Sequence, residues 1–271
     1  MKPHFSEFTY GFALTNEIVS RIKSTIGTAP IFPSLIDEGK EGGGYDVSIE
    51  FKGKPVFYQF KLSHYMKRKH ASERHLFNGP YYRFELMALR HSDQHNLLLD
   101  LEAVGNTVFY CAPKFYEASQ LNSFFTSSSI ASNSIFIRPS KIGNLPDDDY
   151  HSVCFEIGNP NIYLCSEPVP IEDVNFNDAI EQITINGEVI DLTYLKNLED
   201  KLIEIAQKKL KTNSDSNIYN KMIADLTSPI KRIALLSRTI FNCDFMIVGK
   251  EIKKNSLEIN NENSNFNNKN Q

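Results

Sequence analysis

The sequence predicts an α/β protein whose helices flank a mixed sheet, with a helical segment after it. Three observations predict this. An apolar stripe at helical spacing lies near the start, strict alternation runs on both sides of residues 52–55, and later apolar runs are separated by a second helical stretch. The resulting order is helix, three strands, helix, strand.

Thr15 is placed to cap a helix over 16–26, with Ile18, Val19, Ile22 and Ile26 as its stripe and Gly27 as its stop. The pattern extends back toward Ser6 through Phe8 and Phe12, weakened by Gly11. Pro30 and Pro33 bracket an extended piece, Ile31 to Ile36, as the first strand. In the next run Val47, Ile49 and Phe51 share one face, and Asp46, Ser48 and Glu50 the other. In the run after it Val56, Tyr58 and Phe60 share a face opposite Phe57, Gln59 and Lys61. Lys52-Gly53-Lys54-Pro55 between them reads as a hairpin loop. A two-residue turn at Lys52-Gly53 sets Asp46 opposite Gln59, and a four-residue loop sets it opposite Lys61. Either register gathers Asp46, Gln59 and Lys61 on one side of the sheet, with opposed side chains about 5 Å apart. A surface-facing polar stripe is the plainer account of the same pattern.

A helical region is expected over 80–104, broken near His91-Ser92-Asp93, with Leu97, Leu98, Leu101 and Val104 on its second piece. Thr107 to Cys111 reads as a strand, 114–125 as a helix and Ile135 to Ile137 as a strand. Val153 to Ile157 and Ile162 to Leu164 form a further hairpin around Gly158-Asn159-Pro160. Leu192, Leu195, Leu198, Leu202 and Ile205 stripe a helix over 191–211, and 211–216 is a linker. A helix near 217–226 precedes one over 229–241, opened by Ser228-Pro229 as cap and first-turn proline. The expected organisation is a core over 1–170, a helical extension over 171–254 packing on the core or on another copy, and a disordered asparagine-rich tail over 255–271.

At 271 residues, 41% hydrophobic and 23% charged, the composition is that of an ordinary soluble protein. A net charge of −4 gives no global positive field to announce a nucleic-acid binder. Cys111, Cys154, Cys165 and Cys243 lack CxxC spacing and read as reduced, mostly buried thiols of a cytoplasmic protein; Cys154 and Cys165 face each other across a hairpin without a bond being demanded. No apolar run is long enough to span a bilayer, and Met1-Lys2-Pro3-His4 does not open a signal peptide. A phosphate-cradling GxxxxGK[ST] is lacking, and Gly42-Gly43-Gly44 precedes a strand rather than a helix, which argues against a nucleotide enzyme.

Positive charge is instead local. His64, Lys67, Arg68, Lys69, His70, Arg74 and His75 crowd together with Tyr65, as in an arm that tracks phosphates and stacks on bases. Lys67, Arg68, Lys69 and Arg74 are its candidate contacts; a solvated loop is the alternative. Gln94 and His95 on the following helix are placed either to reach the cleft or, as is commoner for a helical polar pair, only to face solvent, and His151 beside Asp147-Asp148-Asp149 reads as part of an acidic turn ahead of a strand.

Asp46 on one strand and Gln59-Phe60-Lys61 on the next, within this element order, resemble the PD-(D/E)xK nuclease superfamily over residues 1–140. The Gly-Tyr-Asp and Tyr-Gln-Phe-Lys-Leu-Ser segments also resemble an uncharacterised group of bacterial proteins. Tyr45 stands where the motif name implies proline, and Gln59 where Asp or Glu is usual. The resemblance implies a restriction-endonuclease-like αβββαβ core and a Mg²⁺-dependent endonuclease, with Mn²⁺ able to substitute. It implies phosphodiester hydrolysis, of DNA rather than RNA, in restriction or anti-phage defence with a partner protein or a second copy. Asp46 would be the central magnesium ligand, with Gln59 through its amide oxygen and the Phe60 carbonyl completing the protein share of the shell. Lys61 would orient or deprotonate the attacking water and offset charge on the phosphorane. Glu17 would add a carboxylate from the first helix, or serve only as a first-turn Glu favoured by the helix dipole. Asp37 and Glu38 are reserve ligands. The loss of a carboxylate at Gln59 also suits a catalytically silent relative that binds nucleic acid or scaffolds a complex.

Overall fold

Val56 to Phe60 do not follow a turn; they continue from Phe51 in one unbroken ten-residue strand, β1 (Phe51–Phe60). The chain is seen in a computed structural model that describes residues 1–22, 51–67, 71–158, 161–166, 168–185, 187–209, 226 and 228–251. The hairpin expected between 46 and 61 is therefore corrected, and neither of its two registers applies. Asp46, Asp37, Glu38, Arg68, Lys69, the strand expected at 31–36, the linker, nearly all of the helix expected at 217–226 and the tail lie outside the described residues.

Tertiary pairing overrides the turn-like composition of Lys52-Gly53-Lys54-Pro55. On one side β10 (Asp244–Glu251) runs antiparallel to β1, from Phe51↔Glu251 to Tyr58↔Asp244. On the other side β9 (Glu188–Ile190) pairs with residues 51–53, and β4 (Thr107–Pro113) pairs in parallel from Val56↔Thr107 onward. Pro55 falls in the gap between those two partners, where its missing N–H forfeits no ladder bond. β5 (Ser134–Ile137) closes the sheet beyond β4, giving the order β10-β1-β4-β5 with mixed directions.

Buried residues alternate cleanly across this sheet. Val56, Tyr58, Phe60, Phe109 and Met246 pack under α1 (Glu7–Arg21), α3 (Ala118–Thr126) and α5 (Phe176–Ile185). Phe57, Val108, Tyr110, Phe245 and Ile247 pack on the opposite face. There they meet α2 (Gln94–Ala103), α6 (Leu192–Lys209) and α7 (Pro229–Thr239). Helix α1 begins earlier than its Thr15 signal: Ser6 is the N-cap and its hydroxyl accepts from the Thr9 amide at 3.0 Å. Gly11 is the reason the helix lies so close, since a Cβ there would sit 2.8 Å from the Phe60 ring.

A second sheet has the order β2-β3-β6-β7-β8: β2 (His64–Met66), β3 (Tyr81–Leu86), β6 (His151–Phe155), β7 (Ile162–Leu164) and β8 (Val169–Ile171). The helix expected from residue 80 is thus a strand at first. Tyr82, Phe84 and Leu86 alternate inward with Arg83 and Glu85 between them, and only α2 follows as expected. The hairpin of 153–164 forms as read, with Phe155 opposite Ile162. Its Cys154 and Cys165 are joined in a disulfide across a Cα separation of 6.3 Å, whereas Cys111 and Cys243 are free and buried; the four-thiol expectation is corrected to two.

The region after residue 170 is not a purely helical extension. It supplies β9 and β10 to the first sheet, and α6 and α7 to the same core. Arg232 on α7 grips Glu199 on α6 with both guanidinium branches, at 2.5 and 2.9 Å, which locks the two helices together. No helix among the described residues is long and apolar enough to cross a membrane.

Candidate functional site at the carboxyl end of β1

Gln59 and Lys61 come together where β1 ends beside parallel β4. Alternation sends Gln59 to the α2 face, where it is 2% exposed, and Lys61 lies half-buried beyond it. The first residue of α2 meets them. The Lys61 ammonium donates to Gln94 Oε1 at 3.2 Å, and Gln94 Nε2 donates to Gln59 Oε1 at 2.5 Å. Gln59 Nε2 then donates to the Phe60 carbonyl at 2.9 Å. Because Lys61 can only donate, it fixes the orientation of both carboxamides in turn. The Lys61 ammonium also lies 5.9 Å from the centroid of the Tyr110 ring. Desolvation lowers the Lys61 pKa below the usual lysine value, and the nearby Glu7 carboxylate offsets part of that.

A second polar group gathers on the α1 side of the same strand end. Asp244 opposes Tyr58 and so shares its face, opposite that of Gln59. Asp244 Oδ1 pairs with Arg238 at 2.8 Å. Burial nevertheless raises its carboxyl to about 6, against the pull of Arg238 and with a further push from Glu7. Glu7, the first residue of α1, is raised as well, by desolvation first, with Lys61 and Arg238 lowering it. Lys61 therefore donates to the amide pair on one face and interacts electrostatically with the Glu7 carboxylate. Gln94 stood out in the sequence only as one of a helical pair able to reach a cleft, and nothing local marked Glu7, Arg238 or Asp244, since only the fold brings the ends of α1, α2, α7 and β10 to this rim.

The remaining expected residues are dispersed. Glu17 is ten residues further along α1, ~15 Å from Glu7 at helical rise. Its carboxylate accepts from the Ala131 amide at 3.0 Å and pairs with Arg21 at 2.5 Å, contacts that anchor α1. Arg74 bends back on its own turn, its guanidinium donating to the Phe77 and Asn78 carbonyls. Lys67 is exposed, 5.2 Å from the Tyr65 ring centroid, as an arm residue would be. His95 is buried rather than solvent-facing, bonded to the Tyr110 hydroxyl at 3.0 Å and the Gly143 carbonyl at 2.7 Å.

Among the described residues no group of three or more His, Cys, Asp or Glu side chains is arranged to hold a metal ion. On the α2 face, Gln59 Oε1 and the Phe60 carbonyl are the expected oxygens, and each already accepts one hydrogen bond while keeping a second lone pair. These donors do not make a magnesium shell without a carboxylate such as Asp46. Two clefts of ≈ 380 Å³ open elsewhere, sharing Lys114 and Asp173, and neither is lined by Gln59 or Lys61. No protein-family model, curated protein or solved structure matches the chain.

Proposed function

We propose that the chain is a metal-dependent nuclease that hydrolyses phosphodiester bonds, with a restriction-endonuclease-like core. The observation that carries this reading is the half-buried Lys61 ammonium, its pKa lowered, beside Gln59 at the carboxyl end of a strand flanked by a parallel neighbour. Open α/β sheets bind ligands outside that end. Gln59 and the Phe60 carbonyl would hold Mg²⁺ or Mn²⁺ at this strand end, with Asp46, which the continuous β1 no longer sets opposite them, as the carboxylate that must complete the shell; the Glu17 carboxylate is engaged by Ala131 and Arg21. The ion would polarise the phosphoryl oxygens and acidify a bound water. Lys61, partly desolvated, would accept or steer a proton of that water and meet the charge that grows on phosphorus. DNA rather than RNA, and a role in restriction or anti-phage defence with a partner protein, follow from analogy with the superfamily.

One observation favours a second reading. The Lys61–Gln94–Gln59–Phe60 relay gives each carboxamide an internal partner, as would suit a nuclease fold kept as a silent nucleic-acid-binding or scaffolding subunit. Plasmid, single-stranded DNA and RNA, incubated with Mg²⁺ or Mn²⁺ beside Asp46→Ala and Lys61→Ala variants, separate the two. Metal-dependent cleavage lost in both variants supports the enzyme. Cleavage that survives in them removes this site, and absence of both cleavage and metal binding selects the silent subunit.

A further inference from the structure

We propose that Ser166, His151 and Asp147 form a nucleophilic centre, separate from the β1 site, that takes acyl groups from unhindered carboxylic esters. The β6–β7 ladder builds it. Val153 opposes Leu164, and the Cys165 amide donates to the Ser152 carbonyl at 2.8 Å, so the next rung sets Ser166 against His151. The Cys154–Cys165 disulfide ties the same two strands. Ser166 is exposed, while the imidazole beneath it is 1% exposed.

The hydrogen-bond partners set the tautomer of a neutral ring. His151 Nε2 faces Asp147 Oδ1 at 3.2 Å and the Asp147 carbonyl at 3.4 Å; both are acceptors, so Nε2 carries the hydrogen. In the neutral ring Nδ1 is then bare, and it lies 2.5 Å from Ser166 Oγ, which must donate to it. Asp147 is itself held, because its Oδ1 accepts from the Asp149 amide at 2.7 Å and Arg90 pairs with the Asp149 carboxylate. A hydroxyl donating to a neutral imidazole whose far nitrogen is oriented by a carboxylate is the resting state of a general-base-activated serine. The ring is turned end for end relative to the familiar serine-protease arrangement. The chemistry needs only that the two nitrogens face opposite partners.

Oγ attacks the ester carbonyl carbon as its proton passes to Nδ1. The ester C–O bond breaks and that proton leaves with the departing alkoxide as alcohol. Water, deprotonated by the same nitrogen, then releases the carboxylic acid and restores Ser166. Ser166 and His151 are the catalytic residues, and Asp147 is a positioning residue. Exposure is what lets an electrophile reach Oγ.

The test treats the full chain with a small alkyl fluorophosphonate and maps the adduct by peptide mass spectrometry, with Ser166→Ala as blank. The expected result is a single adduct on Ser166, forming ~10²-fold more slowly in His151→Gln. Asp147→Ala should slow it and Asp147→Glu should restore it. Thermal melts verify that each variant is folded. Because Ser166 is exposed, the wild-type adduct alone tests the proposal even if His151→Gln fails to fold. No adduct at Ser166, equal labelling in folded His151→Gln, or no rescue by Glu at 147 would overturn it.

Discussion

The Lys61 ammonium and the Gln94 carboxamide oxygen share a hydrogen bond of 3.2 Å that ties the end of β1 to the first residue of α2. It starts a relay that continues from Gln94 to Gln59 and from Gln59 to the Phe60 carbonyl.

Cutting the relay exposes its cost. Gln94→Leu leaves Gln59 Oε1 buried without its donor, and urea unfolding should show a loss of about 1–3 kcal/mol. Under the proposed nuclease reading, Gln59→Glu places a carboxylate at this strand end and is expected to raise Mn²⁺ affinity and cleavage by ~10-fold, one charge-assisted ligand being worth about 1–2 kcal/mol. Metal titration and plasmid nicking read this out. Unchanged metal binding in a folded Gln59→Glu protein would count against a metal at this strand end.

Asp244 makes stability depend on pH in an unusual direction. Its carboxyl is at about 6 in the fold against 3.8 for an unperturbed group, so the folded state favours the uncharged form. Its contribution is fully present below the lower value and is lost as pH rises through the higher one. A gap of about two units amounts to ~3 kcal/mol. Comparing urea midpoints of wild type and Asp244→Asn from pH 3.5 to 7.5 isolates this slope from that of other carboxylates. The two curves should diverge above pH 4; parallel curves would show that Asp244 is not desolvated.

Glu17 should prove structural. Glu17→Ala leaves the Ala131 amide without its acceptor and is expected to lower stability by about 1–3 kcal/mol. Any metal-dependent cleavage should keep its rate at temperatures where the variant is fully folded. Loss of cleavage there would return Glu17 to the ligand set.

The carboxyl-terminal strand belongs to the fold. Phe245, Met246, Ile247 and Val248 are buried on both faces of β10, and their loss forfeits about 1.5–3 kcal/mol each, comparable to the whole stability of a domain. A chain ending at residue 242 should show no cooperative urea transition; a folded one would mark β10 as dispensable. More gently, Gly187→Ala would place a Cβ 2.5 Å from the Gly53 backbone, where β9 meets β1, and should cost about 1–3 kcal/mol in the same assay.

The sequence by itself determined much of the secondary structure and the pair Gln59 and Lys61. Helices at 192–209 and 229–239, strands at 107–113 and 134–137, and the 151–164 hairpin were legible because apolar spacing and Pro-Gly punctuation are local signals. Tertiary structure decided the rest. Lys52-Gly53-Lys54-Pro55 has the residues of a turn, yet β10, β9 and β4 pair around it and draw it into a strand. Tyr81 to Leu86 forms a strand by pairing with β6, a partner some seventy residues away in sequence. Gln94 for Gln59, and Asp244 and Glu7 for the opposite rim, come from chain segments whose meeting depends on how layers stack. Local pattern states which face a side chain takes; only packing states what stands across from it.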